Sequence, residues 1–170
     1  MHGAPSVAGR STNGSAGPDA APSPVRPRYP FTLDTRTDWT TAVRLEDARH
    51  ARYGRPASVL LIELGGNVGG PALDRLAQAV ADLIRAHARE TDRAVRLGQG
   101  SFRVLMPETG GRAARVAADR VERAFRETPA GRTAGQRLTI EVATPSPARS
   151  LRDALAEAEA KLAGSGAQHG

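Results

Sequence analysis

From Ala57 onward the hydrophobic period of the chain switches repeatedly, and each switch marks an element. Ala57-Ser-Val-Leu-Leu-Ile-Glu-Leu64 is a short continuous apolar run after Pro56, the pattern of a buried strand. A glycine-rich loop, Gly65 to Gly70, follows, and Pro71 sits where the first turn of a helix tolerates proline. Leu73, Leu76, Val80, Leu83 and Ile84 then form one apolar stripe at helical spacing, with Arg, Asp and Gln opposite. Ala94–Leu97 and Ser101–Met106 are short strands around Gly98-Gln99-Gly100, which predicts a hairpin. Arg112 to Arg126 predicts a second amphipathic helix with Val116, Ala117, Val121, Ala124 and Phe125 as its core stripe. Arg137 to Ala143 alternates as a strand, and Leu151, Leu155, Ala158 and Leu162 share one face of a closing helix. Ahead of all these, Trp39 to about Tyr53 is polar, with Trp39, Ala42, Val43 and Leu45 to Ala48 near helical spacing. The order predicts an α+β fold, a ferredoxin-like β-α-β-β-α-β core with extra N- and C-terminal helices. Helices are expected on one face of a mostly antiparallel sheet.

Composition sets the limits of that domain. Residues 1–30 are rich in Gly, Pro, Ser and Ala and are expected to be a disordered tail. Residues 31–164 form the predicted domain, and 165–170 a flexible C-terminus. The chain of 170 residues suits one domain of ordinary size. No apolar run approaches the ~20 residues needed to span a bilayer. The N-terminus has no continuous apolar segment of the secretory kind, and there is no cysteine, so a cytoplasmic location is expected and a membrane partner is not.

Charge narrows the function less than its size suggests. The formal net charge is +6, with 23 arginines, 31 alanines and a single lysine, Lys161. GC-rich coding DNA raises Arg, Ala, Gly and Pro together, and the arginines are scattered, often beside Asp or Glu. A nucleic-acid partner is not expected, because such a surface clusters its charge and interleaves aromatics. Arg112, Arg115, Arg120, Arg123 and Arg126 line the second helix, but Asp119 and Glu122 interrupt them, which reads as a solvated face. His2, His50, His87 and His169 lack ligand-like spacing, and no G-x-x-x-x-G-K-[ST] phosphate loop occurs.

A family resemblance rests on several colinear motifs. Arg96-Leu-Gly-Gln-Gly-Ser-Phe102 occupies the place of R-Y-G-G-D-E-F in GGDEF domains, the diguanylate cyclase family. Glu46-x-x-Arg49-x-x-Arg52-Tyr53-Gly54-Arg55-Pro56, leading into Val59-Leu-Leu-Ile-Glu63, resembles the family's E-x-x-R-x-x-R-Y-G-R-P and first strand. Val104-Leu-Met-Pro-Glu-Thr109 resembles L-L-P-E-T, Leu138 to Ala143 the next strand, and Ala160-Lys161-x-x-Gly164 the A-K-x-x-G of the last helix. The resemblance spans about residues 36 to 164.

The resemblance implies enzymes that join two GTP molecules into cyclic di-GMP with two divalent ions held by carboxylates, an arrangement suited to hard cations. Glu63 could supply the carboxylate at the end of the first strand, and Lys161 would meet a phosphate in an active relative. In the signature hairpin Gly98, Gln99, Gly100, Ser101 and Phe102, however, Gly100 and Ser101 replace the acidic pair. About ten residues of the stretch after the first strand are also missing, and Asn67 does not align clearly with the family's guanine-reading Asn. No catalytic residue and no metal site is therefore assigned. No cofactor is expected, Mg²⁺ entering only if residual cyclase activity exists. Gly98 and Gly100 are read first as turn residues needing positive φ.

The resemblance also implies an inhibitory product site, R-x-x-D, a few residues before the turn, and Arg89-Glu-Thr-Asp92 has that placement. An arginine fork suits phosphate or guanine O6 and N7, and a carboxylate accepts from guanine N1–H and the amino group. The alternative is an i,i+3 ion pair, as expected for the second copy, Arg44-Leu-Glu-Asp47. Three functional readings stay open: an inactive regulatory domain binding cyclic di-GMP at Arg89 and Asp92, a ligand-independent module pairing with itself or with a protein, and a residual cyclase.

Overall fold

The computed structural model describes residues 32–66, 69–133 and 135–167. The predicted tail at 1–30 and Asn67 lie outside the described residues, as do His2, His169 and 168–170. Eight elements follow one another: α1 (Arg36–Tyr53), β1 (Ala57–Gly65), α2 (Gly70–His87), β2 (Arg93–Arg96), β3 (Ser101–Pro107), α3 (Gly111–Glu127), β4 (Arg137–Ala143) and α4 (Leu151–Ala167). The strands form one sheet in the order β2-β3-β1-β4, with every neighbouring pair antiparallel. This is the expected β-α-β-β-α-β core between two added helices.

The sheet is covered on both faces, which corrects the expectation of helices on one face. Leu60, Ile62, Phe102 and Val104 pack beneath α2 and α3 with Ala77, Val80, Ala118 and Phe125. On the other face Val59, Leu61, Val95 and Leu105 meet Trp39 of α1 and Leu151, Ala154 and Ala158 of α4. The physical reason lies in β1, whose residues Ala57 to Ile62 are all buried. A strand apolar at consecutive positions must hide both sides of its pleat.

Helix α3 is turned relative to its predicted stripe. Ala114, Ala118, Val121 and Phe125 are its buried residues, while Val116 is 53% exposed. Two alanines at i and i+4 let the helix approach the sheet closely, so the small residues win the core position over valine. Val116 is thereby left on a surface beside the end of α2.

The opposite end of β3 is fixed by a buried hydroxyl. Ser58 Oγ donates to the Thr109 carbonyl at 2.9 Å and lies 2.9 Å from Thr144 Oγ1. This ties the starts of β1 and α3 to the end of β4. Glu108 holds a left-handed φ of 53° in the same turn and pairs with Arg55 at 2.7 Å. The N-terminus of α3, with Gly111 and Arg112, is set in place by these contacts.

The connection from β1 to α2 is short. Gly66 has φ 135°, and a Cβ there would come within 2.4 Å of the Gly135 carbonyl. Only glycine allows that approach between the two loops.

Candidate functional site

Helix α2 ends at His87, and the chain turns through Arg89 to Asp92 before entering β2. The turn is closed by reciprocal bonds. The Arg89 amide donates to Asp92 Oδ2 at 2.8 Å, and the Asp92 amide donates to the Arg89 carbonyl at 3.1 Å. Asp92 is only 3% exposed, and its second oxygen, Oδ1, is buried without a hydrogen-bond partner. Ile84, Met106 and Val121 line a small cavity of 30 Å³ against it. Burial there pushes the Asp92 carboxyl above its ordinary value, with the Arg89 amide and then its charge pulling partly back.

A groove of 680 Å³ opens over this carboxylate between the end of α2 and α3. His87, Arg89 and Asp92 border it on one side, Arg112, Val116 and Arg120 on the other, with Met106 of β3 between them. Among the described residues, the side chains of Arg89, Arg112 and Arg120 make no hydrogen bond or ion pair. Three guanidinium groups with free donor capacity thus surround an apolar floor and one underbonded carboxylate. The Arg89–Asp92 side-chain ion pair that stood as the alternative does not form; the contact runs through the backbone amide. The second R-x-x-D also differs from its expectation. Asp47 accepts the Leu151 amide of α4 at 2.7 Å instead of pairing with Arg44, because the first amides of a helix lack partners of their own.

The groove brings Arg89 and Asp92, singled out from the sequence, beside Arg112 and Arg120, which the sequence reading put on a solvated face and which are indeed exposed. The signal lay in the two alanines, Ala114 and Ala118, which set the rotation of α3.

The signature hairpin sits at the other end of β3. Arg96 clamps it by donating to the Gly98 carbonyl at 2.9 Å and the Gln99 carbonyl at 2.7 Å. The same guanidinium lies 5.8 Å from the centre of the Phe102 ring, which is fully buried. Neither Gly98 nor Gly100 has positive φ, contrary to expectation. Gly100 is required for a different reason: a Cβ there would stand 2.9 Å from Leu64 Cβ, where β1 pairs with the turn. Glu63 faces Ser101 across the β1–β3 ladder. Its Oε1 accepts from Ser101 Oγ at 2.7 Å and from Arg103 Nη1 at 2.8 Å. Lys161 lies on the exposed face of α4 and pairs with Glu157 at 2.7 Å. That contact and the charge of Arg149 hold the Glu157 carboxyl below its ordinary value.

The comparisons with known proteins agree with the fold. The family model described as diguanylate cyclase, GGDEF domain, matches residues 33–169. The chain belongs to the GGDEF family. No curated protein matched the chain. Among solved structures, it is similar to the GGDEF domain of FimX from Pseudomonas aeruginosa, with TM-score 0.68 and 21% identity, covering 82% of this chain and 92% of that one. It is similar to the GGDEF domain of DgcB from Caulobacter crescentus in complex with c-di-GMP, with TM-score 0.64 and 13% identity, covering 83% and 90%. It also resembles the diguanylate cyclase SiaD of Pseudomonas aeruginosa, solved in complex with its activator SiaC, at TM-score 0.58 and 19% identity over 78% of this chain and 55% of that one.

The divalent ions implied by the GGDEF family do not fit the residues present. Gly100 brings no side chain, Ser101 brings no charge, and Glu63 already spends one oxygen on two internal donors. Among the described residues no three His, Asp, Glu or Cys side chains come together as a metal-binding group. No helix of the described residues is long and apolar enough to cross a membrane.

Proposed function

We propose that this GGDEF domain is a catalytically inactive regulatory module of the cytoplasm that binds cyclic di-GMP in the groove between α2 and α3. The observation that carries the reading is the Asp92 carboxylate, buried with one oxygen lacking a partner beside three arginines whose side chains are unpaired among the described residues. A buried acceptor left unmade is expensive, and a ligand donor reaching it recovers that loss. Guanine offers such donors at N1 and its amino group, while its O6 and N7 edge and the phosphates suit arginine forks. The apolar floor of Met106 and Val116 suits the face of a base. Loss of catalysis is supported by Gly100 and Ser101 in place of acidic residues and by the short β1–α2 connection.

A ligand-independent interaction module is the competing reading, favoured by the Arg89 amide already bonded to Asp92. Titration calorimetry of the full chain with cyclic di-GMP separates the two. Heat that saturates and is weakened by Arg89→Ala supports the groove; no heat at high micromolar ligand leaves the interaction module. Incubation with GTP and Mg²⁺ or Mn²⁺ is expected to yield no cyclic di-GMP.

A further inference from the structure

Arg103 is the most deeply buried arginine of the chain's sheet, at 7% exposure. In the strand ladder it stands between Leu61 of β1 and Val95 of β2, both fully buried on the α1/α4 face. A charge placed in an apolar row is unfavourable unless its donors are met. Here Nη1 donates to Glu63 Oε1 at 2.8 Å, to the Phe102 carbonyl at 3.0 Å and to Ser101 Oγ at 3.1 Å. Nε is buried without a hydrogen-bond partner and only approaches Glu159 Oε1 on α4, at 3.7 Å. The cation is thus bonded through Nη1 to oxygens of β1 and β3 and faces a carboxylate of α4 at longer range.

From this geometry we infer that the Arg103 guanidinium is the resident cation of the strand-end carboxylate, standing in for a divalent ion. The former metal end of the domain is then a closed ionic joint tying β1, β3 and α4, rather than a site that merely lacks ligands. Two features support replacement over simple loss. Serine at 101 is short enough to leave room for the guanidinium while still bonding Glu63. Leu64 Cβ, the Leu64 carbonyl oxygen and Leu73 Cδ1 lie 2.9, 3.4 and 3.6 Å from where a Cβ of residue 100 would be, so the root of any acidic side chain there meets space already taken. A metal on Glu63 would also have to approach an oxygen already neutralised by a fixed positive charge, within the ~2.1–2.6 Å that hard cations require. The inference deepens the proposed loss of catalysis, yet it concerns the end of β3 away from the groove. Turnover of GTP would overturn the loss of catalysis, whereas Mn²⁺ uptake tests the guanidinium's place by itself.

The test supplies a second carboxylate opposite Glu63 and asks what keeps the ion out. Free Mn²⁺ is followed by electron paramagnetic resonance with the full chain and its variants. The wild-type chain and Ser101→Glu are expected to leave Mn²⁺ free, because Arg103 satisfies both carboxylates. Ser101→Glu combined with Arg103→Met, which keeps the buried aliphatic stem, is expected to take up one ion per chain, released again by Glu63→Gln. Arg103→Ala in the same background gives the same readout should the methionine variant fail to fold. Uptake by the wild-type chain or by Ser101→Glu that disappears with Glu63→Gln would overturn the inference. So would a folded Ser101→Glu/Arg103→Met chain that binds no Mn²⁺, since the guanidinium would then not be what excludes the ion.

Discussion

The Asp92 carboxylate takes its one protein hydrogen bond from the backbone amide of Arg89, 2.8 Å away, while the guanidinium of that arginine bonds to no described residue. The turn therefore fixes the position of both groups without making them satisfy each other. An i,i+3 ion pair on a helix would have neutralised them. The break of α2 at Ala88, whose amide still bonds Ile84, puts Arg89 outside the helix and opens the groove.

Stability should depend on pH through Asp92. Its folded-state value is raised chiefly by burial, so the folded chain holds this proton at pH values where the unfolded chain has released it. The associated stability is complete below the unfolded carboxyl value of about 3.9 and is lost as pH rises through the folded one. Thermal melts of the wild-type chain and Asp92→Asn across that range should therefore show the variant gaining relative to wild type as pH rises, then levelling. A constant difference would mean that the carboxylate is hydrated in solution. Guanine donors favour the ionised form, so affinity for cyclic di-GMP should weaken as pH falls through the same value.

Removing Arg120 should weaken cyclic di-GMP as Arg89→Ala does. A charge-assisted hydrogen bond is worth roughly 1.5–3 kcal/mol, which corresponds to about a 10- to 100-fold rise in Kd. Arg115 and Arg123 lie on α3 outside the groove lining, and their alanine variants should bind as the wild-type chain does. Calorimetry that finds all four substitutions equal would indicate a diffuse charge effect and no groove.

Glycine at 100 should be irreplaceable where glycine at 98 is not. A Cβ at 100 meets Leu64 Cβ at 2.9 Å, whereas one at 98 meets only Ser101 Cβ at 3.9 Å. Overpacking of this kind costs about 1–3 kcal/mol, and each kcal/mol lowers Tm by about 2–4 °C in a chain of this size. Gly100→Ala should melt several degrees lower, while Gly98→Ala stays within about 0.5 kcal/mol of wild type. Equal melting of the two would show that Leu64 yields.

What the sequence made legible follows from what is local. Element order came from hydrophobic period alone, and Arg89 and Asp92 came from their placement before the hairpin. That Arg120 is solvated was legible, but its place beside Asp92 was not, because the rotation of α3 depends on which of Ala114, Val116 and Ala118 packs best, and the sheet decides that. Arg103 escaped for a similar reason: between Phe102 and Val104 it reads as the outward residue of an alternating strand. Only the second helical layer, α1 with α4, turns that outward face into a core.

Helix α4 should depend on a side chain more than a hundred residues upstream. Ser150 caps its N-terminus by accepting the Asp153 amide at 3.0 Å, and Asp153 reciprocates with the Ser150 hydroxyl at 2.7 Å. The Leu151 amide is left over, and Asp47 of α1 accepts it at 2.7 Å. The negative charge also sits at the positive end of the helix dipole. Loss of a capping acceptor costs about 0.5–2 kcal/mol, so Asp47→Ala should lower Tm by a few degrees, and Asp47→Asn, which keeps the oxygen, by less. Because α4 covers Arg103 through Glu159, hydrogen exchange should quicken in α4 and at the end of β3 while the α2–α3 face keeps its protection. Faster exchange spread evenly over both faces would instead mean that Asp47 supports the whole fold rather than the seating of α4.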